Sequence, residues 1–90
     1  MHVVLTRATI HDLEQADQTL TDEGIERIKQ MPGFVSAQWF AISESQGGAV
    51  ITFETEENAK AAAEQVRANP AAGSAVTLDS IEVAEVIGSA

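Results

Sequence analysis

Arg7, His11, Trp39 and Phe40 are the side chains of this 90-residue chain most able to take part in chemistry. Trp39, the lone tryptophan, can stack on a flat ligand while its indole N–H orients a polar edge. Phe40, next to it, would extend the wall of the same cleft. The plainer role for Trp39 is an anchor in a core or an interface. Arg7 interrupts an apolar stretch and can neutralise an anionic ligand or an enolate-like intermediate. Pairing with a strand carboxylate such as Glu54 or Glu85 accounts for it equally well. His11 lies beside Asp12, and imidazole is the side chain suited to proton exchange near neutral pH, so His11 is a candidate general base. The competing reading is an exposed histidine at a junction between elements. His2 reads as a terminal strand residue.

Other groupings lead away from chemistry. His2 and His11 are far apart with no third ligand near either, so no metal centre is expected. Glu82 and Glu85 are three apart on a strand, which puts them on opposite faces and prevents joint acid-base work. Gly47-Gly48 joins two strands instead of preceding a helix, so it reads as a hairpin turn and not a phosphate loop. The chain has no cysteine, which removes disulfides and thiolate metal sites. No cofactor motif is present, and none is expected to bind.

The charge balance narrows the partners. Five Lys and Arg stand against 14 Asp and Glu, a net charge of −9, spread along the chain. Such a surface repels phosphate backbones and anionic membranes, so neither nucleic acid nor membrane is an expected partner. No long apolar run or charged-then-apolar leader occurs, and a soluble, cytoplasmic single domain over residues 1–90 is expected. Folding at this size buries only roughly 60 to 65% of the unfolded chain's surface, so a partner subunit would help.

The elements that must position these residues can be read in order. His2 to Ile10 is dense in Val, Leu, Thr and Ile and reads as a strand. Asp12 can cap the helix that follows, with Gln15 at the third helical position completing a capping box. Leu13, Ala16, Leu20, Gly24, Ile28 and Met31 form its apolar stripe. Thr21-Asp-Glu-Gly24 looks like a second N-cap, so a kink or two successive helices is expected. Arg27 and Lys29 suit the dipole at the end, and Pro32-Gly33 stops the helix. Phe34 to Ile42 and Ala49 to Glu54 read as antiparallel neighbours. Thr55 caps an alanine-rich helix with Ala59, Ala62, Ala63 and Val66 inward. Asn69-Pro70 ends it, Ala71 to Val76 is a small-residue loop, and Leu78 to Ile87 is the last strand.

The order β-α-β-β-α-β gives an α+β, ferredoxin-like fold: a four-stranded antiparallel sheet with both helices on one face. Alternation assigns Val4, Thr6, Ala8 and Ile10, with Ala49, Ile51 and Phe53, to the helix side. The open face then carries Val3, Leu5, Arg7 and Val50. It is too apolar to be left to water, and a second sheet is expected on it. On Phe34 to Ile42 both alternating sets hold a large aromatic, which predicts burial on both sides.

Pro32-Gly33-Phe34-Val35 entering a strand, and Val50-Ile-Thr-Phe-Glu-Thr-Glu-Glu-Asn-Ala59 entering a helix, resemble the dimeric α/β barrel superfamily and its antibiotic-biosynthesis monooxygenase branch. The resemblance is strong over residues 31–66, and the other strands fit by order. It implies a homodimer in which two open sheet faces close a barrel, with a ligand cleft between each sheet and its helices. Haem-degrading members carry asparagine on the first strand and histidine and tryptophan on or near the second helix. His2 to Ile10 holds no asparagine, and the second helix no histidine or tryptophan, so haem degradation is not implied. Cofactor-free oxygenases of the superfamily use tryptophan, asparagine, histidine, tyrosine and arginine. This chain has no tyrosine, and Asn only at positions 58 and 69.

Two functional classes follow. One is a dimerising or small-ligand-binding module with Trp39, Arg7 and Phe40 around an apolar cleft. The other is a cofactor-independent monooxygenase acting on a small aromatic or polyketide-like substrate, with Arg7 stabilising negative charge and His11 as base. The first is preferred because polar groups fit for acid-base work are few.

Overall fold

The branched, apolar run at the start of the chain becomes β1 (His2–Ile10) in the computed structural model, which describes residues 1–90. Helix α1 (Leu13–Thr19), a π-helical turn (Leu20–Gly24) and α2 (Ile25–Lys29) follow as one unbroken helical path. Then come β2 (Phe34–Ala41), β3 (Gln46–Phe53), α3 (Glu56–Ala68), a short 3-10 turn (Gly73–Ala75) and β4 (Val76–Glu85). The sheet order is β2-β3-β1-β4, antiparallel at every pairing. This is the ferredoxin-like α+β arrangement.

Local chemistry sets the boundaries. Asp12 is extended, and its Oδ1 accepts from the Gln15 amide at 3.0 Å. Thr55 caps α3 in the same way, accepting from the Asn58 amide at 3.1 Å. Gly33 adopts φ +77°, a left-handed conformation that glycine takes without strain. Its carbonyl then receives the Glu54 amide at 2.9 Å, tying the start of β2 to the end of β3.

Thr21-Asp-Glu-Gly24 does not cap a second helix. Thr19, Leu20, Gly24 and Ile25 all have right-handed helical angles, and the extra residue is absorbed as a π turn. Gly24 explains the position: a Cβ there would stand 2.2 Å from the Ala71 carbonyl oxygen, so the helix touches the chain beyond α3 through bare backbone. Arg27 reinforces that contact, donating to the carbonyls of Asn69 at 2.8 Å and Pro70 at 3.0 Å. Its charge therefore serves the C-terminal end of α3.

Two readings of the strands are corrected. β2 is an edge strand and largely exposed, not buried on both sides. Pairing shifts between Phe34 and Ser36, so the bulge brings Phe34, Ala37 and Trp39 all toward the core and leaves Phe40 on the open face. Gly47 and Gly48 are strand residues of β3, and the turn is 42–45. A Cβ on Gly48 would lie 2.1 Å from the Thr6 carbonyl oxygen, and one on Gly47 2.4 Å from that of Phe40. These glycines permit close strand approach.

The helix-facing core centres on Phe53, Ile28, Ile51 and Val4, each essentially inaccessible. The expected inward sets on β1 and β3 are those observed. A smaller cluster of Ile10, Ala16, Ala72 and Ala75 sits apart from it. No helix is long and apolar enough to cross a membrane.

Candidate functional site

Rows of side chains across the sheet explain where a cleft forms. One helix-side row reads Ala37, Ile51, Val4, Val83 across β2-β3-β1-β4, and the next reads Trp39, Ala49, Thr6, Ile81. The third reads Ala41, Gly47, Ala8, Leu78, so from β2 to β1 it carries nothing larger than a methyl group. The sheet surface drops along this series, while α1 above it offers Ala16 as its buried contact. Side chains this short cannot close the space, and a cleft of about 210 Å³ remains between sheet and helix.

Nineteen residues line it, 15 of them hydrophobic. Members of both core clusters face it, including Ile51, Val66 and Ala71 from one and Ile10, Ala16 and Ala72 from the other. The cleft is thus the gap between two parts of a divided core. Half-buried Trp39 stands on the β2 side. Thr6, at 6% exposure the single buried polar residue of the chain, supplies the polar group on the β1 side. Asp17 lines the cleft from α1 and is the one ionisable residue to do so.

Arg7 is not in the cleft. It belongs to the opposite set of β1, pairs with Gly48 and Ser80, and projects from the open face. Nor does it meet Glu54 or Glu85: the chain's ion pairs are His2–Glu56, Lys29–Glu26, Lys60–Glu56 and Arg67–Glu64. Glu85 pairs with His2, on the helix-facing set, and Glu54 follows the end of β3. Phe40 touches the rim of the cleft, but its ring lies over Gly48, with Cζ 3.1 Å from where a Cβ would be. That ring covers the bare backbone on the Arg7 side.

His11 also lies outside the cleft. It is exposed just past β1, and its Nε2 is 2.6 Å from Thr77 Oγ1. Arg7 and Trp39 are therefore not brought together, since Trp39 shares the row of Thr6, whose side chain points to the opposite face from that of Arg7, and His11 stands past the end of β1 beside Thr77. His2 is more buried than a terminal residue, with its side chain 19% exposed. Its Nε2 is 3.7 Å from Glu56 Oε2, and its buried Nδ1 has no partner. No three His, Asp or Glu side chains converge as a metal-holding group.

Sequence reasoning missed two contributors. The sequence puts Thr6 on the inward set without a role for it, since the small row that makes the cleft emerges only from the strand register. Asp17 carried a readable signal, since it is four residues from Leu13 and three from Leu20, and helical spacing groups all three.

The chemistry available is apolar enclosure, an aromatic wall, one hydroxyl and one carboxylate. No family model matches the chain, and no curated protein matches it.

Proposed function

We propose that this protein is a small-ligand-binding module that works as a homodimer of the dimeric α/β barrel type. The observation that carries the binding reading is the cleft of about 210 Å³ with 15 hydrophobic residues among its 19, bounded by Trp39. A concave, mostly apolar recess with a few polar groups is the usual form of a small-molecule site. A flat bicyclic ligand suits it, with one face toward Trp39 and its polar edge toward Thr6.

The dimer reading rests on the other face. Leu5 and Phe40 are 39% and 44% exposed, and Val3 and Val50 are half-buried beside them. Four strands about 4.8 Å apart and eight residues long at about 3.3 Å each present roughly 500 Å² of flat footprint. A specific interface buries about 800 Å² per partner, and this face supplies the larger part of that. The resemblance over residues 31–66 supports the same pairing.

Cofactor-independent oxygenation is the second reading, supported by the resemblance and by Trp39 on the cleft wall. It has less support because neither Arg7 nor His11 reaches the cleft.

Calorimetric titration with neutral bicyclic aromatics, 2-indanol among them, tests the binding reading. Ligands of about ten heavy atoms are expected to bind saturably with Kd on the order of 10⁻⁴ M. Ala41→Phe, at an exposed position on the rim, is expected to weaken binding at least tenfold and leave the thermal midpoint nearly unchanged. Absence of saturable binding across the series, or full affinity in Ala41→Phe, overturns it.

A further inference from the structure

We propose that the cleft selects ligands carrying a cationic nitrogen on an apolar ring system, with Asp17 as the group that receives the charge. This rests on the ligand-binding reading and adds the charge of the ligand to it.

The first observation is isolation. Among the residues lining the cleft, Asp17 alone is ionisable, set against 15 hydrophobic neighbours. The second is availability. Asp12 is engaged in capping α1, Asp22 accepts both its hydrogen bonds from Gln18, and Asp79 accepts from Thr9. Asp17 enters no such bond and no ion pair, and its carboxylate is free to meet a ligand. The third is the placing of the five cations. Arg7 is on the opposite sheet face, Arg27 is held by two carbonyls, Lys29, Lys60 and Arg67 pair with glutamates on their own helices, and none lines the cleft.

An anionic ligand therefore finds no counter-charge, meets Asp17 at the rim, and approaches a molecule of net charge −9. A neutral ligand gains the apolar burial and the Thr6 hydroxyl, with no charge to set against Asp17. An ammonium group on the same ring gains that burial and a carboxylate beside it. Helix geometry fixes the arrangement, because Leu13, Asp17 and Leu20 fall along one side of the helical path, placing the charge next to the apolar groups that would hold the ring. Because Asp17 is exposed, the ion pair is solvent-screened, and an exposed pair supports a preference of about fivefold.

Three ring-matched probes test this by calorimetry: 2-aminoindane, 2-indanol and indane-2-carboxylate. The amine is expected to bind about fivefold more tightly than the alcohol at low ionic strength, the carboxylate more weakly than both, and the gap to close in about 0.5 M sodium chloride as the Debye length shortens. Asp17→Asn is expected to bring the amine to the alcohol's affinity. Glu57→Gln removes the same charge from the first turn of α3, whereas the cleft meets that helix near its other end at Val66. The amine preference should survive it. Equal binding of amine and alcohol to the unsubstituted protein, or a preference that persists in Asp17→Asn, overturns the proposal while leaving ligand binding intact. Failure of all three probes to bind overturns the ligand-binding reading together with it.

Discussion

Trp39 and Phe53 face the same side of the sheet, yet their surroundings differ. Phe53 is fully buried, and its ring meets that of Phe34 edge-on with centroids 6.2 Å apart and planes at 79°. Trp39 packs against the same cluster from the edge strand and is left half-exposed by the cleft. Phe53→Ala is expected to lower stability by about 3–5 kcal/mol, the usual range for removing a buried aromatic ring. Trp39→Ala should lower it by less than about 2 kcal/mol and weaken binding of 2-indanol at least tenfold. Urea denaturation and calorimetry check the pair. A loss of stability in Trp39→Ala equal to that in Phe53→Ala would make Trp39 a packing anchor, the plainer role open to it from sequence. At this scale much is legible: alternation splits each strand into two sets, and the cost of burying a charged arginine directs the set of Arg7 away from the helices, while Ile51 and Phe53 fall in the set that faces them. What alternation cannot show is that Trp39 and Arg7 part company, because the face Trp39 takes depends on the pairing of β2 to β3 with a bulge at its start.

Elements were legible where capping chemistry is local. Asp12 and Thr55 bond within their own first turns, and those two helices begin where their sequences say. Thr21-Asp-Glu-Gly24 has the composition of a cap but lies inside a helix, because the deciding contact is distant. Gly24 meets the Ala71 carbonyl, and a π turn at this point keeps Leu20 over the cleft while directing Arg27 to Asn69 and Pro70. Alanine in place of an interior helix glycine ordinarily gains up to about 1 kcal/mol. Here Gly24→Ala is expected to destabilise by about 1–3 kcal/mol, since a methyl group would meet a backbone oxygen that has little room to move. Thermal unfolding checks the sign, and a stabilised variant would show that the helix does not rest on the Ala71 carbonyl. The paired glycines of β3 were misleading for a similar reason. Their composition suits a turn, while their use is close packing against the Thr6 and Phe40 carbonyls.

Across the whole molecule the sheet separates two proposed tasks, ligand binding on the helix side and subunit pairing on the open side. Arg7 is the single cation on the strand positions of that open face, with Asp79 and Glu82 on the neighbouring β4. A two-fold pairing is self-complementary, and it can set the Arg7 of each open face against the acidic β4 strand opposite. Light scattering at micromolar concentration is expected to give twice the 9.5 kDa chain mass, and Arg7→Glu is expected to reduce it to that of one chain. A single-chain mass for the unsubstituted protein would remove the dimer while leaving the cleft in place. The central claim, that the recess between sheet and helices is a binding site, is tested most directly by side-chain methyl and indole NMR during titration with 2-indanol. Saturable shifts gathered at the Leu20, Ala49 and Ile51 methyls and the Trp39 indole, with the Leu5 and Val50 methyls on the open face far less moved, are the expected result. Shifts centred on the Leu5 and Val50 methyls, or no saturable shift at any of these groups, would contradict it.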